Sequence, residues 1–321
     1  MHLHKFDTPL YRDLLRKANY IPKNPPSYPT QLSLEITRRC NANCIYCARR
    51  IIDCTPCDLT LEGLEQRRTV IEAAKSISIC GIGEPLLHPQ FIPIMETLRS
   101  FNRNTILAFV TNGQTPCSEY LIRKLNELQI SIVFSADTIN KDLYEKLRVG
   151  CKMDRLIKNL KEVQRIKKKY RLAFPLVVIS AVLLKETISS LLDTFRALSP
   201  YMDSFSIREL VEDYHDQHLY QTKLPDLTDV VEELKKESET AGIRIEGRPI
   251  DNIAPEVCLD PYITSFIFVD GSVTTCESGY IGNLNGRPFE EIWKANPFRK
   301  DSDLCRRCRA NNTHNVWMYC T

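Results

Sequence analysis

From Gln31 onward the chain alternates short runs of apolar and β-branched residues with longer segments in which apolar residues recur every three or four positions. Residues 31–37, 77–80, 105–110, 130–135, 175–182 and 204–210 read as strands. Between them Leu121, Ile122, Leu125 and Leu128 repeat with helical spacing, as do Ile188, Leu191, Leu192, Phe195 and Leu198. The runs SLEIT, SIVFSA and FPLVVISAVLL are nearly continuous in apolar and β-branched residues, as strands buried on both faces are. Strands alternating with helices are the mark of parallel strands joined by crossover helices, and six such units fit residues 31 to about 245. The pattern predicts an α/β fold, either a barrel or a doubly wound sheet. The longest apolar stretch, Leu172 to Leu184, is broken by Pro175 and Ser180 and falls short of the roughly 20 residues that cross a bilayer, so no membrane span is expected.

The pattern changes at Gly247. RPIDNIAPEV reads as a linker, FIFVDGSVTTC as a hairpin through Asp270-Gly271, and PFEEIWKA as a short helix. This tail has too little apolar surface to fold on burial alone, and a metal centre would supply the missing stability. The basic run from Lys152 to Arg171 keeps Leu156, Leu160 and Val163 on one helical face, which makes it a solvated helix rather than a polyanion site.

Composition narrows the chemistry. A hydrophobic fraction of 43% with 26% charged residues excludes a disordered chain, and 43 basic against 40 acidic groups leaves no electrostatic footprint for nucleic acid. The start, MHLHKFDTPLYRD, lacks the apolar region of a signal peptide, so a cytoplasmic, reducing setting is expected. Thirteen cysteines in such a setting point to metal or redox chemistry rather than to disulfides.

The sharpest signal follows the first strand, where Cys40, Cys44 and Cys47 stand in a C-x3-C-x2-C loop. Three thiolates are one fewer than the four irons of a [4Fe–4S] cube require, which leaves one iron open to a substrate or cofactor; a zinc site would need a further ligand nearby. The loop resembles that of the radical S-adenosylmethionine (SAM) superfamily, and the resemblance extends over residues 31–210. ICGIGEPLLHP at 79–89, TNG at 111–113, SAD at 135–137 and the arginine of YEKLR follow in the family's order. The resemblance implies a partial (β/α)6 barrel of TIM type over residues 31–247, after an extension of residues 1–30. It also implies roles: Gly83 and Glu84 at the methionyl amino group, Arg148 at the carboxylate, Ser135 and Asp137 at the ribose, Tyr46 near adenine, and Asn112 in the TNG segment beside the cofactor.

A second constellation comprises Cys258, Cys276, Cys305 and Cys308, enough to close either a zinc site or a second [4Fe–4S] cluster, and spacing alone does not choose. The region 248–321 resembles the twitch or SPASM auxiliary-cluster extension of the same superfamily, which implies an iron–sulfur centre. A full SPASM domain carries about seven cysteines and two auxiliary clusters; this tail has fewer, and one auxiliary cluster is expected. Cys54 and Cys57 form another C-x2-C pair without a family counterpart. Cys80, Cys117 and Cys151 read as inert buried thiols unless one faces the cavity, where Cys117, Cys151 or Cys320 would serve as hydrogen-atom donor. The polar segment IRELVEDYHDQH suits recognition of amines and hydroxyls, with His215 as a base.

The resemblance implies a SAM-derived 5′-deoxyadenosyl radical that abstracts hydrogen from a C–H bond, fed by an electron donor such as flavodoxin or ferredoxin. The N-terminal thirty residues offer no room for a folded leader-binding domain, which tilts the expected substrate toward a small hydroxylated or amino-sugar-like molecule. Two-electron oxidation is the first expectation, with radical epimerisation and peptide modification as alternatives.

Overall fold

The computed structural model describes residues 26–50, 54–209, 227–247, 260–275 and 279–297. Strand β1 (Gln31–Leu34) leads through α1 (Leu61–Glu65) and α2 (Arg68–Ala73) to β2 (Ser76–Ile79), and α3 (Phe91–Phe101) leads on to β3 (Ile106–Thr111). The chain continues through α4 (Glu119–Glu127), β4 (Ile130–Ser135), α5 (Lys141–Leu147), α6 (Met153–Tyr170) and β5 (Val177–Leu183). Then come α7 (Leu191–Leu198), β6 (Ser204–Glu209), α8 (Thr228–Ala241) and β7 (Arg244–Glu246). The last elements are α9 (Asp260–Ile263), β8 (Thr264–Ile267), β9 (Ser272–Thr274), β10 (Tyr280–Asn283) and α10 (Phe289–Lys294).

These strands form one open sheet in the order β10-β9-β8-β1-β2-β3-β4-β5-β6-β7. Strands β1 to β7 are parallel in sequence order, as crossover helices require. The six strands expected from the pattern are present, and the periodic segment at 121–128 is α4, whose first turn is closed by Ser118 Oγ accepting from the Leu121 amide. Among the described residues no helix is long and apolar enough to cross a membrane.

The two faces of the sheet differ sharply. Leu32 and Leu34, Ile77 and Ile79, Leu107 and Phe109, Ile132 and Phe134, Val177 and Ile179, and Phe205 and Ile207 all enter the main hydrophobic core. Each such side chain contributes roughly 1.5–3 kcal/mol on burial. The alternate positions carry Ser33, Ser78, Ser131, Ser180 and Ser206, with a small apolar patch of Cys80, Val110, Phe266 and Phe268. Strands that read as nearly continuously apolar thus hide a period-two pattern, because serine is small enough to pass within a β-branched run.

The predicted hairpin turns at Asp270-Gly271, where Gly271 holds φ 86. It does not stand apart from the rest: β8 pairs in parallel with β1 from Gln31↔Thr264 to Leu34↔Ile267, and so widens the core sheet at its β1 edge. Helix α10 is packed down by Trp293, whose Nε1 donates to Pro26 O at 3.0 Å, and by the Tyr28 hydroxyl donating to Glu290.

Candidate active site

The segments singled out by sequence meet at the carboxyl ends of β1 to β4, the end at which parallel β/α folds bind ligands. Cys40, Cys44 and Cys47 line a cleft together with Gly83, Glu84, Asn112, Ser135 and Arg148. The cysteine loop is not left to itself. Asn43 N donates to Val149 O at 2.7 Å and Ile45 N to Leu147 O at 2.9 Å, so the loop lies along the segment after α5. Asn112 Nδ2 donates to Asn41 Oδ1 at 2.7 Å, which ties the loop to the end of β3. Close backbone approach explains Gly83, where a Cβ would stand 2.0 Å from Thr37 O.

The donor set fits a cluster with one thiolate per iron. The thiols of Cys40, Cys44 and Cys47 sense one another electrostatically, and burial pushes all of them up, Cys40 to about 11. Arg49 beside Cys40 and Cys47, and Arg148 beside Cys44, oppose that rise and would favour the thiolates a cluster needs. Among the described residues no three His, Cys, Asp or Glu side chains converge on a single-ion site.

Glu84 is buried, and burial lifts its carboxyl to about 7 against the pull of its hydrogen bonds. Its oxygens accept from Thr111 Oγ1 at 2.8 Å, Asn112 N at 2.7 Å and Leu86 N at 3.2 Å. A carboxylate offers about four acceptor positions, so one remains for an ammonium group.

Asp137 and Arg148 are paired with each other, and Arg148 also lines the cleft. Arg148 Nε and Nη2 each donate to Asp137 at 2.8 Å, and both side chains are sealed from solvent, at 2% and 0% exposure. The Tyr46 hydroxyl donates to the same carboxylate, and Val182 N donates to it at 3.0 Å. Burial alone would discharge Arg148, but the Asp137 carboxylate holds it firmly protonated. In this arrangement Asp137 is committed to Tyr46 and Arg148 and fixes the cysteine loop against β4 and β5. Ser135 lies in the cleft.

Cys117 and Cys151, the described candidates for a hydrogen-atom donor, are packed in the main core, and burial raises them to about 12 and about 11. Cys80 joins the three loop cysteines in lining the cleft. Two further residues escaped the sequence reading. Glu35 is buried and accepts from Ile82 N at 3.1 Å and Val269 N at 3.2 Å, joining β1 to both the β2 loop and the β8–β9 turn. Arg38 bridges Glu35 at 3.3 Å and Asp270 at 2.8 Å. An acidic residue inside SLEIT was the available signal, since a charge in a strand flanked by apolar residues needs built partners.

The Cys54–Cys57 segment runs beside the strand exit: Arg38 N donates to Cys57 O at 2.9 Å, and Cys54 Sγ donates to Arg49 O at 2.9 Å. Cys258, Cys276, Cys305, Cys308, Cys320 and His215 lie outside the described residues.

Comparison with known proteins identifies the family. Residues 34–198 match the radical SAM superfamily and residues 258–312 an iron–sulfur cluster-binding domain, SPASM. An uncharacterised protein of Methanocaldococcus jannaschii is 25% identical over 236 residues, which cover 70% of this chain and 75% of that one. The Streptococcus suis protein SuiB, solved with its precursor peptide SuiA, superposes with a TM-score of 0.64 at 18% identity, covering 92% of this chain and 70% of that one. The protein anSMEcpe with bound AdoMet superposes at 0.61 and 19% identity, covering 91% and 88%. These superpositions speak to the fold. The chain belongs to the radical SAM superfamily and carries a SPASM iron–sulfur domain, so its cofactors are [4Fe–4S] clusters and SAM.

Proposed function

We propose that this enzyme oxidises a small hydroxylated or amino-sugar-like molecule by two electrons. The observation that carries the reading is the sheet face opposite the main core, where Ser33, Ser78, Ser180 and Ser206 alternate with core side chains and Ser135, in register with Ser180, lines the cleft. Rows of hydroxyls hold a polyhydroxylated ligand in one orientation. When bound, the cluster at Cys40, Cys44 and Cys47 and SAM supply a carbon radical that abstracts a hydrogen atom, and the SPASM cluster supplies an electron acceptor. The chain's own contribution is placement. Glu84 is poised to hold the cofactor's ammonium, Tyr46 and Asn112 fix the loop that carries the thiols, and the serine face orients the C–H bond. Phe266 and Phe268 pack against Cys80 and Val110 and keep water from that wall. A small protein such as flavodoxin or ferredoxin would supply the reducing electron.

Cys80 favours a second reading, epimerisation, because a thiol in the cleft can return a hydrogen atom. Mass spectrometry in heavy water separates the two. Oxidation gives a product lighter by two hydrogens, and deuterium from a labelled substrate appears in 5′-deoxyadenosine. A product of unchanged hydrogen count carrying one solvent deuterium overturns the oxidation reading, and its loss in Cys80→Ala would name the donor.

A further inference from the structure

Ser206 Oγ is buried and has no hydrogen-bond partner. Buried hydroxyls are rarely left in that state, because the desolvation they suffer goes uncompensated. Ser206 lies between Phe205 and Ile207, both of which enter the main core, so its hydroxyl is on the opposite face of the sheet. It belongs to a row set by strand register: Ser135 opposite Ser180, Ser180 opposite Ser206, and Ser206 opposite Glu246. One end of that row, Ser135, lines the cleft with the cluster cysteines. The other end is a carboxylate.

Arg208, two residues on from Ser206 and on the same face, donates through Nη2 to Glu246 Oε1 at 3.4 Å. This is a loose contact, longer than the roughly 2.7–3.2 Å of a well-formed bond, so Glu246 keeps acceptor capacity. The side chains are 18% and 27% exposed, reachable yet partly desolvated. Arg208 is the register partner of Val182, which packs against Tyr46 of the cysteine loop. With about 4.8 Å between neighbouring strands, the group stands one strand removed from the loop that holds the cluster.

Resting on the reading above, we infer that Ser206, Glu246 and Arg208 form a subsite for a neutral vicinal diol of a sugar or cyclitol ring. One hydroxyl donates to Glu246 and accepts from Arg208, and its neighbour on the ring pairs with the orphaned Ser206. The Glu246 carboxylate accepts from a ring hydroxyl and repels a phosphate. Ser206 and Glu246 are register partners on adjacent strands, which suits two hydroxyls on neighbouring ring carbons.

The test uses the protein with its clusters and SAM bound, titrated calorimetrically with myo-inositol, cis- and trans-cyclohexane-1,2-diol, cyclohexane-1,3-diol and cyclohexanol. The vicinal diols should bind, and moving or removing the second hydroxyl should weaken binding several-fold. Glu246→Gln should weaken the diols at least tenfold and Ser206→Ala several-fold, with iron content and circular dichroism equal to the parent in both variants. Diol binding that is unchanged in both variants, or absence of binding by every ring polyol, overturns the assignment. The broader reading fails on a different result: no C-deuterated alcohol passes deuterium to 5′-deoxyadenosine, while a peptide does. Turnover of an alcohol with unchanged affinity in Ser206→Ala and Glu246→Gln removes the subsite and leaves that reading standing.

Discussion

Two arginine–carboxylate networks stand at the mouth of this half-barrel, and they are built to different standards. Around Asp137, a bidentate Arg148, the Tyr46 hydroxyl and the Val182 amide converge with no solvent access. Around Arg38, a buried Glu35 lies on one side and Asp270, whose side chain is 44% exposed, lies on the other. The first network joins the cysteine loop to β4 and β5, and the second joins the β8–β9 turn to β1. A sealed pair gains full Coulomb strength but leaves a bare charge if either member is lost, whereas a pair open to water is screened and replaceable. The cluster loop therefore has one rigid seat, and the hairpin is attached by a graded contact.

The largest expected effect comes from removing the ligands themselves. Cys40, Cys44 and Cys47 replaced together by Ala should abolish SAM cleavage and about halve the iron, since a second [4Fe–4S] centre remains in the SPASM domain. Iron and sulfide analysis of the anaerobically reconstituted variant checks this, and an unchanged iron content would show that the loop holds no cluster. The matching change, Cys305→Ala with Cys308→Ala, should instead loosen the tail first in limited proteolysis.

Next in size is the sealed network. Arg148→Met leaves the Asp137 carboxylate buried without its cation, which should cost about 3–5 kcal/mol in urea unfolding of the metal-free protein. The loss should resist added salt, because solvent ions do not reach the pair. The double change Asp137→Leu with Arg148→Met should recover much of the stability and yet retain iron poorly, because Tyr46 and the cysteine loop have lost their anchor. A double variant that holds iron as the parent does would show that the loop's backbone bonds to Leu147 and Val149 suffice.

Glu84 gives a pH signature inside the same cleft. Its carboxyl is raised from 4.5 to about 7, so the folded metal-free chain binds its proton more tightly than the unfolded chain does. The stability it lends is fully present below pH about 4.5 and is lost as pH rises through about 7, by an amount on the order of 3 kcal/mol at about 1.36 kcal/mol per unit. Urea midpoints measured from pH 5 to pH 8 should fall, and Glu84→Gln should flatten that fall. An identical slope in the variant would assign it to other groups.

The sequence made the outer face of the sheet legible, because Ile, Leu and Phe at alternate positions of β2 to β6 must be buried wherever the chain folds. The cluster loop was equally plain, since its chemistry depends on spacing within eight residues. Partnerships between distant segments were not legible. Arg148 and Asp137 are eleven residues apart, yet their pairing depends on how the segment after α5 returns over β4. Likewise Glu35 meets Val269 only because β8 adds to β1, a register that the hairpin's own sequence does not specify. Cys80 directly follows β2 and packs with Val110 and Phe266, whereas Cys117 and Cys151, in the loops that enter α4 and α6, pack in the main core.

The smallest effect belongs to the open end of the second network. Burial works against the Asp270 charge, but the Ser272 amide and Arg38 outweigh it and hold the carboxyl below its usual range. Arg38 Nη2 reaches it at 2.8 Å, but nearly half of the Asp270 side chain faces water, so the pair is worth no more than about 1 kcal/mol. Asp270→Asn should therefore lower stability by about 0.5–1 kcal/mol at low salt and by almost nothing near 1 M salt, where screening acts within about 3 Å. Glu35→Gln, in contrast, alters a buried acceptor shared by the Ile82 and Val269 amides and should cost more at every salt concentration. The ratio of the two, followed by urea unfolding across a salt series, measures how far the hairpin is held by charge and how far by the backbone bonds between β8 and β1. Equal salt dependence for both variants would mean that Glu35 is also open to solvent and that the graded contact is a single exposed cluster.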